Sequence, residues 1–252
     1  MTFYRYLDGE HQELASEHQI LIADSLLIKD NRVRSLDKHI TRLISNAALK
    51  APELLPQIPE FIFNSLKLIP KQGSYFPRFE ISTNKEFFLN LRPAPEVTET
   101  VTLWTYPDPD PRTDLTVKGP ELHLGTQIRN QALEQGADEA ILLTKAGFIS
   151  EGSLSSLVWW EEDVLTAPSN DIPWLESVTR TEVFEIAQKL NIKTQTKEAK
   201  PEELINHELW LLSSLQGIRT VVNWIGLSSN FKTSDKRQTF NQELQRFVDE
   251  LP

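Results

Sequence analysis

The chain has 252 residues, with 36 acidic against 26 basic side chains, a net charge of −10 and no cysteine. That length allows one large domain or two modest ones, and the acidity argues against a phosphate-backbone partner such as nucleic acid. The missing cysteines exclude disulfides, thiolate catalysis and cysteine-ligated zinc, and the five histidines (His11, His18, His39, His123, His207) show no metal-ligand spacing.

Met1 to Leu14 is polar and charged and lacks the basic-then-apolar order of a signal peptide. No window approaches the roughly 20 apolar residues of a membrane span, so a cytoplasmic protein without membrane contact is expected. Residues 20–28 read as a buried strand, Asp30-Asn31 as a tight turn, and Val33 as the start of a return strand. Leu36, Ile40, Leu43, Ile44 and Ala47 recur at helical spacing and predict a helix over 37–49, with Asp37 at its start and His39 and Arg42 on one face. Residues 52–69 read as a second helix loosened by Pro56 and Pro59, followed by strands at 75–82, 86–92 and 100–106.

The segment Pro107-Asp108-Pro109-Asp110-Pro111-Arg112 holds three prolines in five residues. Proline removes a ladder donor and fixes φ, so a helix and an internal strand are both excluded and an extended connector is predicted. The expected division is a small α+β domain over 1–106, a connector over 107–117 and a larger domain over 118–252.

Beyond the connector, Leu124, Ile128 and Ala132 mark a helix that Gly136 ends. Ala140–Leu143 is a strand, Gly147 a turn, and Phe148-Ile149 leads up to Glu151. Leu157–Trp160 and Val164-Leu165 form a hairpin around Glu161-Glu162-Asp163. Val183, Phe184, Ala187 and Leu190 define a helix after Ser177, and 192–197 is a strand. Pro201–Leu204 starts a short helix, and strands follow at 209–214 and 219–225. A last helix carries Phe240, Leu244, Phe247, Val248 and Leu251 on one side. Strands and helices mixed in two blocks, without a repeating βα unit, argue α+β.

Five short motifs stand in order: His39-Ile40-Thr41-Arg42-Leu43, Lys118, Gly136-Ala137-Asp138-Glu139-Ala140, Glu151-Gly152-Ser153 and Ser177-Val178-Thr179-Arg180. By residue type alone, Lys118 reads as a solvated lysine, Glu151 as a turn glutamate in water, Arg42 as a surface arginine pairing with Asp37, and Ser177 as a plain helix cap. Together, over residues 20 to about 222, they resemble the class IV aminotransferases, the fold-type IV pyridoxal-phosphate enzymes. That family includes branched-chain and D-amino-acid aminotransferases and 4-amino-4-deoxychorismate lyase.

The resemblance implies a two-domain architecture, a small N-terminal α+β domain and a larger pseudo-barrel-like one, with pyridoxal 5′-phosphate held between them. It implies Lys118 as the Schiff-base lysine and general base, and Glu151 as partner of the pyridine nitrogen. The phosphate would be held by Arg42, by the helix start at Ser177, Val178 and Thr179, and by Ser214. His123 stands near where relatives place a tyrosine on the cofactor's phenolic oxygen. Arg34, Arg78 and Arg112, with Arg32 and Arg92 beside them, are candidates for a substrate carboxylate, because a planar fork suits one.

The resemblance further implies a homodimer, an amino-acid-like substrate, and either transamination or lyase chemistry. The departures are concentrated in Asp24-Ser25-Leu26-Leu27-Ile28, Glu121-Leu122-His123, Glu176-Ser177 and Ser156. They motivate a rival, a catalytically silent relative acting as a binding or scaffold protein.

Overall fold

A computed structural model describes residues 2–14, 18–227 and 231–252. The chain forms two compact units, one of Met1–Glu96, Val117–Pro120 and Gln245–Pro252, the other of Val97–Thr116 and Glu121–Leu244.

The first unit opens with β1 (Thr2–Leu7) and β2 (Glu10–Leu14), a hairpin closed by Asp8-Gly9, both at positive φ. The polarity of this stretch hides a strand pair, and the Asp-Gly turn is its signature. β3 (Ile20–Ser25) is followed by the short β4 (Ile28–Lys29) and β5 (Arg32–Arg34). Asp30 and Asn31 between them both take positive φ, as the predicted tight turn requires. Then come α1 (Leu36–Lys50), a 3-10 turn over Pro52–Gln57, and α2 (Ile58–Leu66). The single helix expected over 52–69 is thus divided. Pro56 falls in the 3-10 turn, and Pro59 falls in the first turn of α2, where its missing N–H costs nothing.

β6 (Ser74–Tyr75), β7 (Arg78–Ser82) and β8 (Phe87–Leu91) complete the block, and the main sheet has the order β2-β1-β8-β7-β3. Alternation sends Phe79, Ile81, Phe87 and Leu89 into a core with Leu43, Ala47 and Phe61 of the helices. Glu80 and Asn90 take the opposite face, yet both are buried.

The second unit is built on β9 (Thr100–Pro109), α3 (Leu122–Glu134), β10 (Glu139–Leu143), β11 (Ile149–Gly152), β12 (Ser156–Glu161) and β13 (Val164–Pro168). It continues through α4 (Val178–Lys189), β14 (Lys193–Lys197), β15 (Glu208–Ser213), β16 (Gly217–Ile225) and α5 (Lys236–Leu244). The eight-stranded mixed sheet has the order β11-β10-β9-β16-β15-β12-β13-β14. Leu103, Ile141, Trp159, Leu211 and Trp224 fill its core.

Two expectations are corrected. The proline-rich segment is partly strand, because β9 runs to Pro109 and Leu143 of β10 pairs with Pro109. β16 pairs with β9 only as far as Trp104, so the later part has a neighbour on one side. An edge of this kind tolerates proline, and Asp110 N–H still reaches the Leu143 carbonyl at 2.9 Å.

The last helix also stops early. α5 ends at Leu244, a 3-10 turn covers Gln245–Phe247, and β17 (Val248–Glu250) pairs antiparallel with β5. Phe240 packs on Trp160 and Trp210, whereas Leu251 belongs to the core of the first unit. Helical spacing therefore spans residues that serve two different cores.

Candidate functional site

In the first unit, the stretch Val117–Pro120 is pinned to β3. The Lys118 carbonyl accepts from Ala23 N–H at 2.7 Å, and a Cβ on Gly119 would lie 2.0 Å from the Leu21 carbonyl oxygen. Only glycine lets the chain pass this close. From α1, Arg42 is buried, and its Nε and Nη2 donate to Asp24 Oδ2 and Oδ1 at 2.7 and 2.9 Å. His39 Nδ1 stands 2.7 Å from Asp24 Oδ1 on the same buried face. Burial raises the Asp24 carboxyl, but Arg42 and His39 outweigh it and hold the group well below the usual carboxylate range. His39 is pushed down to about 4 by burial, so it is neutral at pH 7 and its Nδ1–H donates to Asp24.

The half-buried Lys118 amine is pushed down to about 8, first by desolvation, then by the charge of Arg42, with Arg78 and Arg92 adding and Asp24 opposing. Arg78 Nε donates to Glu80, and His18 stands beside the same carboxylate. Arg92 donates from Nε to the Phe76 carbonyl at 3.0 Å and from Nη2 to Ser25 Oγ at 3.4 Å; burial, then Arg78, pushes it down to about 10. Arg34 is half-buried on β5, and Arg32 donates to the Val248 carbonyl at 3.4 Å.

In the second unit, Glu151 lies on β11 opposite Leu142 and is 5% exposed. Its Oε1 accepts from Arg112 Nη2 at 2.9 Å, while Asp110 takes Arg112 Nε at 3.0 Å and Nη2 at 2.6 Å. Burial pushes Glu151 up to about 7 against the pull of Arg112. The Gly-Ala-Asp-Glu-Ala stretch builds the turn after it. Gly136 sits at positive φ past α3, and Glu139 accepts from Ser153 and Ser155 hydroxyls, while the Ala140 carbonyl takes Ser153 N–H at 2.9 Å. Gly125 of α3 passes so near that a Cβ would meet the Ser153 carbonyl at 2.5 Å.

Ser177 caps α4, its Oγ accepting from Arg180 N–H at 3.2 Å. Val178 and Thr179 occupy the first turn, where the helix dipole favours an anion. Ser214 lies in the turn between β15 and β16, and His123 is exposed in the first turn of α3.

The structure thus gathers Arg42, Arg78, Arg92 and Lys118 in one unit, and Arg112 and Glu151 in the other. Sequence reasoning missed Asp24, Glu80 and Asp110. Asp24 left a signal, as a lone carboxylate inside an apolar strand must find a cation, and His39-x-x-Arg42 supplies one. Among the described residues no helix is long and apolar enough to cross a membrane.

The amino-transferase class IV family model matches residues 21–224. The chain is 28% identical over 118 residues to the aminodeoxychorismate lyase of Bacillus subtilis (strain 168), covering 44% of this chain and 40% of that protein. It is 29% identical over 76 residues to a probable branched-chain-amino-acid aminotransferase of Rickettsia bellii (strain RML369-C), covering 30% and 26%. The matched stretches span less than half the length of these curated relatives. In fold, it is similar to a hypothetical aminotransferase from Mycobacterium tuberculosis in its PLP-bound form, with a TM-score of 0.79, 17% identity and 98% of both chains covered. This likeness shows the α+β fold-type IV architecture, and the family match over most of the sequence shows that the chain belongs to the class IV aminotransferases, whose cofactor is pyridoxal 5′-phosphate.

Proposed function

We propose that the chain is a pyridoxal-phosphate enzyme acting on an amino acid or on aminodeoxychorismate, with Lys118 as the residue that joins the cofactor. The observation that carries this reading is the Lys118 amine, desolvated, crowded by arginines and pushed down to about 8. An amine must shed its proton to attack an aldehyde, and this one keeps a substantial neutral fraction near pH 8. When bound, the cofactor supplies a ring that accepts the electron pair left as a substrate bond breaks.

The residues present fit that group. Lys118 Nζ would take the aldehyde, and once released would hold and return the substrate's α-proton. Arg42 and the first-turn amides at Val178 and Thr179 would bind the phosphate, with Ser177 shaping the helix start and Ser214 adding a hydroxyl. Glu151, kept in place by Arg112, would face the ring nitrogen as a carboxylate. His123 would serve the phenolic oxygen. A homodimer is part of the same reading, by analogy with the family.

The test is the absorption spectrum of the protein with pyridoxal 5′-phosphate, for wild type and Lys118→Ala. An imine band present in the first and absent in the second supports the reading. Conversion to the pyridoxamine form by amino acids would make it an aminotransferase, and 4-aminobenzoate with pyruvate from aminodeoxychorismate would make it the lyase. A wild-type protein that stays colourless and is unchanged by borohydride would favour the silent relative instead.

A further inference from the structure

Asp24 is a carboxylate on the core-facing side of β3, between Ile22 and Leu26, and it is 1% exposed. Such a position costs stability unless both oxygens are matched. Both are matched, and by one helix face. Oδ2 takes Arg42 Nε at 2.7 Å, and Oδ1 takes Arg42 Nη2 at 2.9 Å and His39 Nδ1 at 2.7 Å. A fork gripped along its Nε–Nη2 edge cannot rotate about its own long axis, so the plane of the guanidinium is set by Asp24. His39 fixes the carboxylate in turn, since it approaches Oδ1 from α1 three residues before Arg42.

We infer that Asp24, locked by His39, is the positioning residue that orients Arg42 for the phosphate of the cofactor, and that it thereby sets the preference for a phosphorylated over an unphosphorylated aldehyde. This rests on the proposed function, in which Arg42 meets the phosphate and Lys118 the aldehyde. Asp24 touches neither group in this account. Its charge also opposes the arginines around Lys118, so its loss would make that amine easier to deprotonate, not harder. A defect in aldehyde capture itself is therefore not expected.

The experiment compares pyridoxal 5′-phosphate with pyridoxal, the same aldehyde without the phosphate. Dissociation constants are read from the imine band in wild type, Asp24→Asn and His39→Gln. For Asp24→Asn the phosphorylated aldehyde should bind at least about tenfold more weakly, the scale of a lost charge-assisted contact, while pyridoxal changes by no more than about twofold. His39→Gln, which keeps Asp24 and Arg42, should show a smaller loss with the same selectivity, and decides the matter if Asp24→Asn does not fold. Equal losses for both aldehydes, or no loss for either, overturn the inference while leaving the proposed function standing. A wild-type protein that captures neither aldehyde overturns both.

Discussion

The first unit sets cations around two buried carboxylates: Arg42, Arg78, Arg92 and Lys118 against Asp24 and Glu80. The second sets carboxylates around a cation: Asp110 and Glu151 on Arg112. Desolvation is the leading influence on the key group in each, and it acts with opposite effect. In the first it lowers the Lys118 amine to about 8, and in the second it raises the Glu151 carboxyl to about 7. One physical cause favours a neutral amine in one unit and a neutral carboxyl in the other, because burial penalises whichever form is charged.

The contrast can be broken most severely at Lys118. Replacement by Ala should abolish both the imine band and turnover of any substrate, and persistence of either would remove this lysine from the chemistry.

Next in size is Asp24→Leu. It leaves Arg42 buried without its carboxylate and should cost about 3–5 kcal/mol in urea unfolding. A loss below about 1 kcal/mol would mean that Arg42 finds another partner and that the cluster is not organised by Asp24.

The pH dependence sharpens the second half of the contrast. The ordinary value for Glu151 is 4.5 and its folded value about 7. As pH rises through that window the unfolded chain gives up this proton while the folded chain keeps it. Stability should therefore fall by up to about 3 kcal/mol and level off above 7. Glu151→Gln removes this contribution, so the difference between wild type and variant, measured by urea titration from pH 4.5 to 8, should carry that slope.

The smallest effect is a gain. Lys118 keeps its proton to 10.5 in the unfolded chain but only to about 8 in the fold. Its contribution is therefore lost as pH falls from 10.5 through 8, and below 8 the fold bears the full cost. Lys118→Met should stabilise the cofactor-free protein at pH 7 by about 1–2 kcal/mol, after allowance for the lysine's partial exposure. Unchanged or lower stability would show that the amine is not strained by its surroundings.

The motif register named Lys118, Glu151, Arg42 and the α4 start from the sequence, and Asp30-Asn31, Gly136 and Gly147 were legible as turns because each takes positive φ. Asp8-Gly9 carried the same kind of signal and went unread because its flanking residues are polar. The company these side chains keep was not legible. Arg112, a candidate for a substrate carboxylate, has its fork on Asp110 and Glu151; Arg78 has Glu80.

Local chemistry was thus decided by the sequence: where glycine frees the backbone, and which residues could bind an anion or form an imine. Spacing and residue type are properties of neighbouring positions, and the order of residues fixes them. The tertiary structure alone decided that Pro109 pairs in a strand, that the last helix gives way to β17, and how far Lys118 and Glu151 depart from ordinary lysine and glutamate. Those outcomes depend on burial and on charges dozens of residues away, and both exist only once the chain has folded.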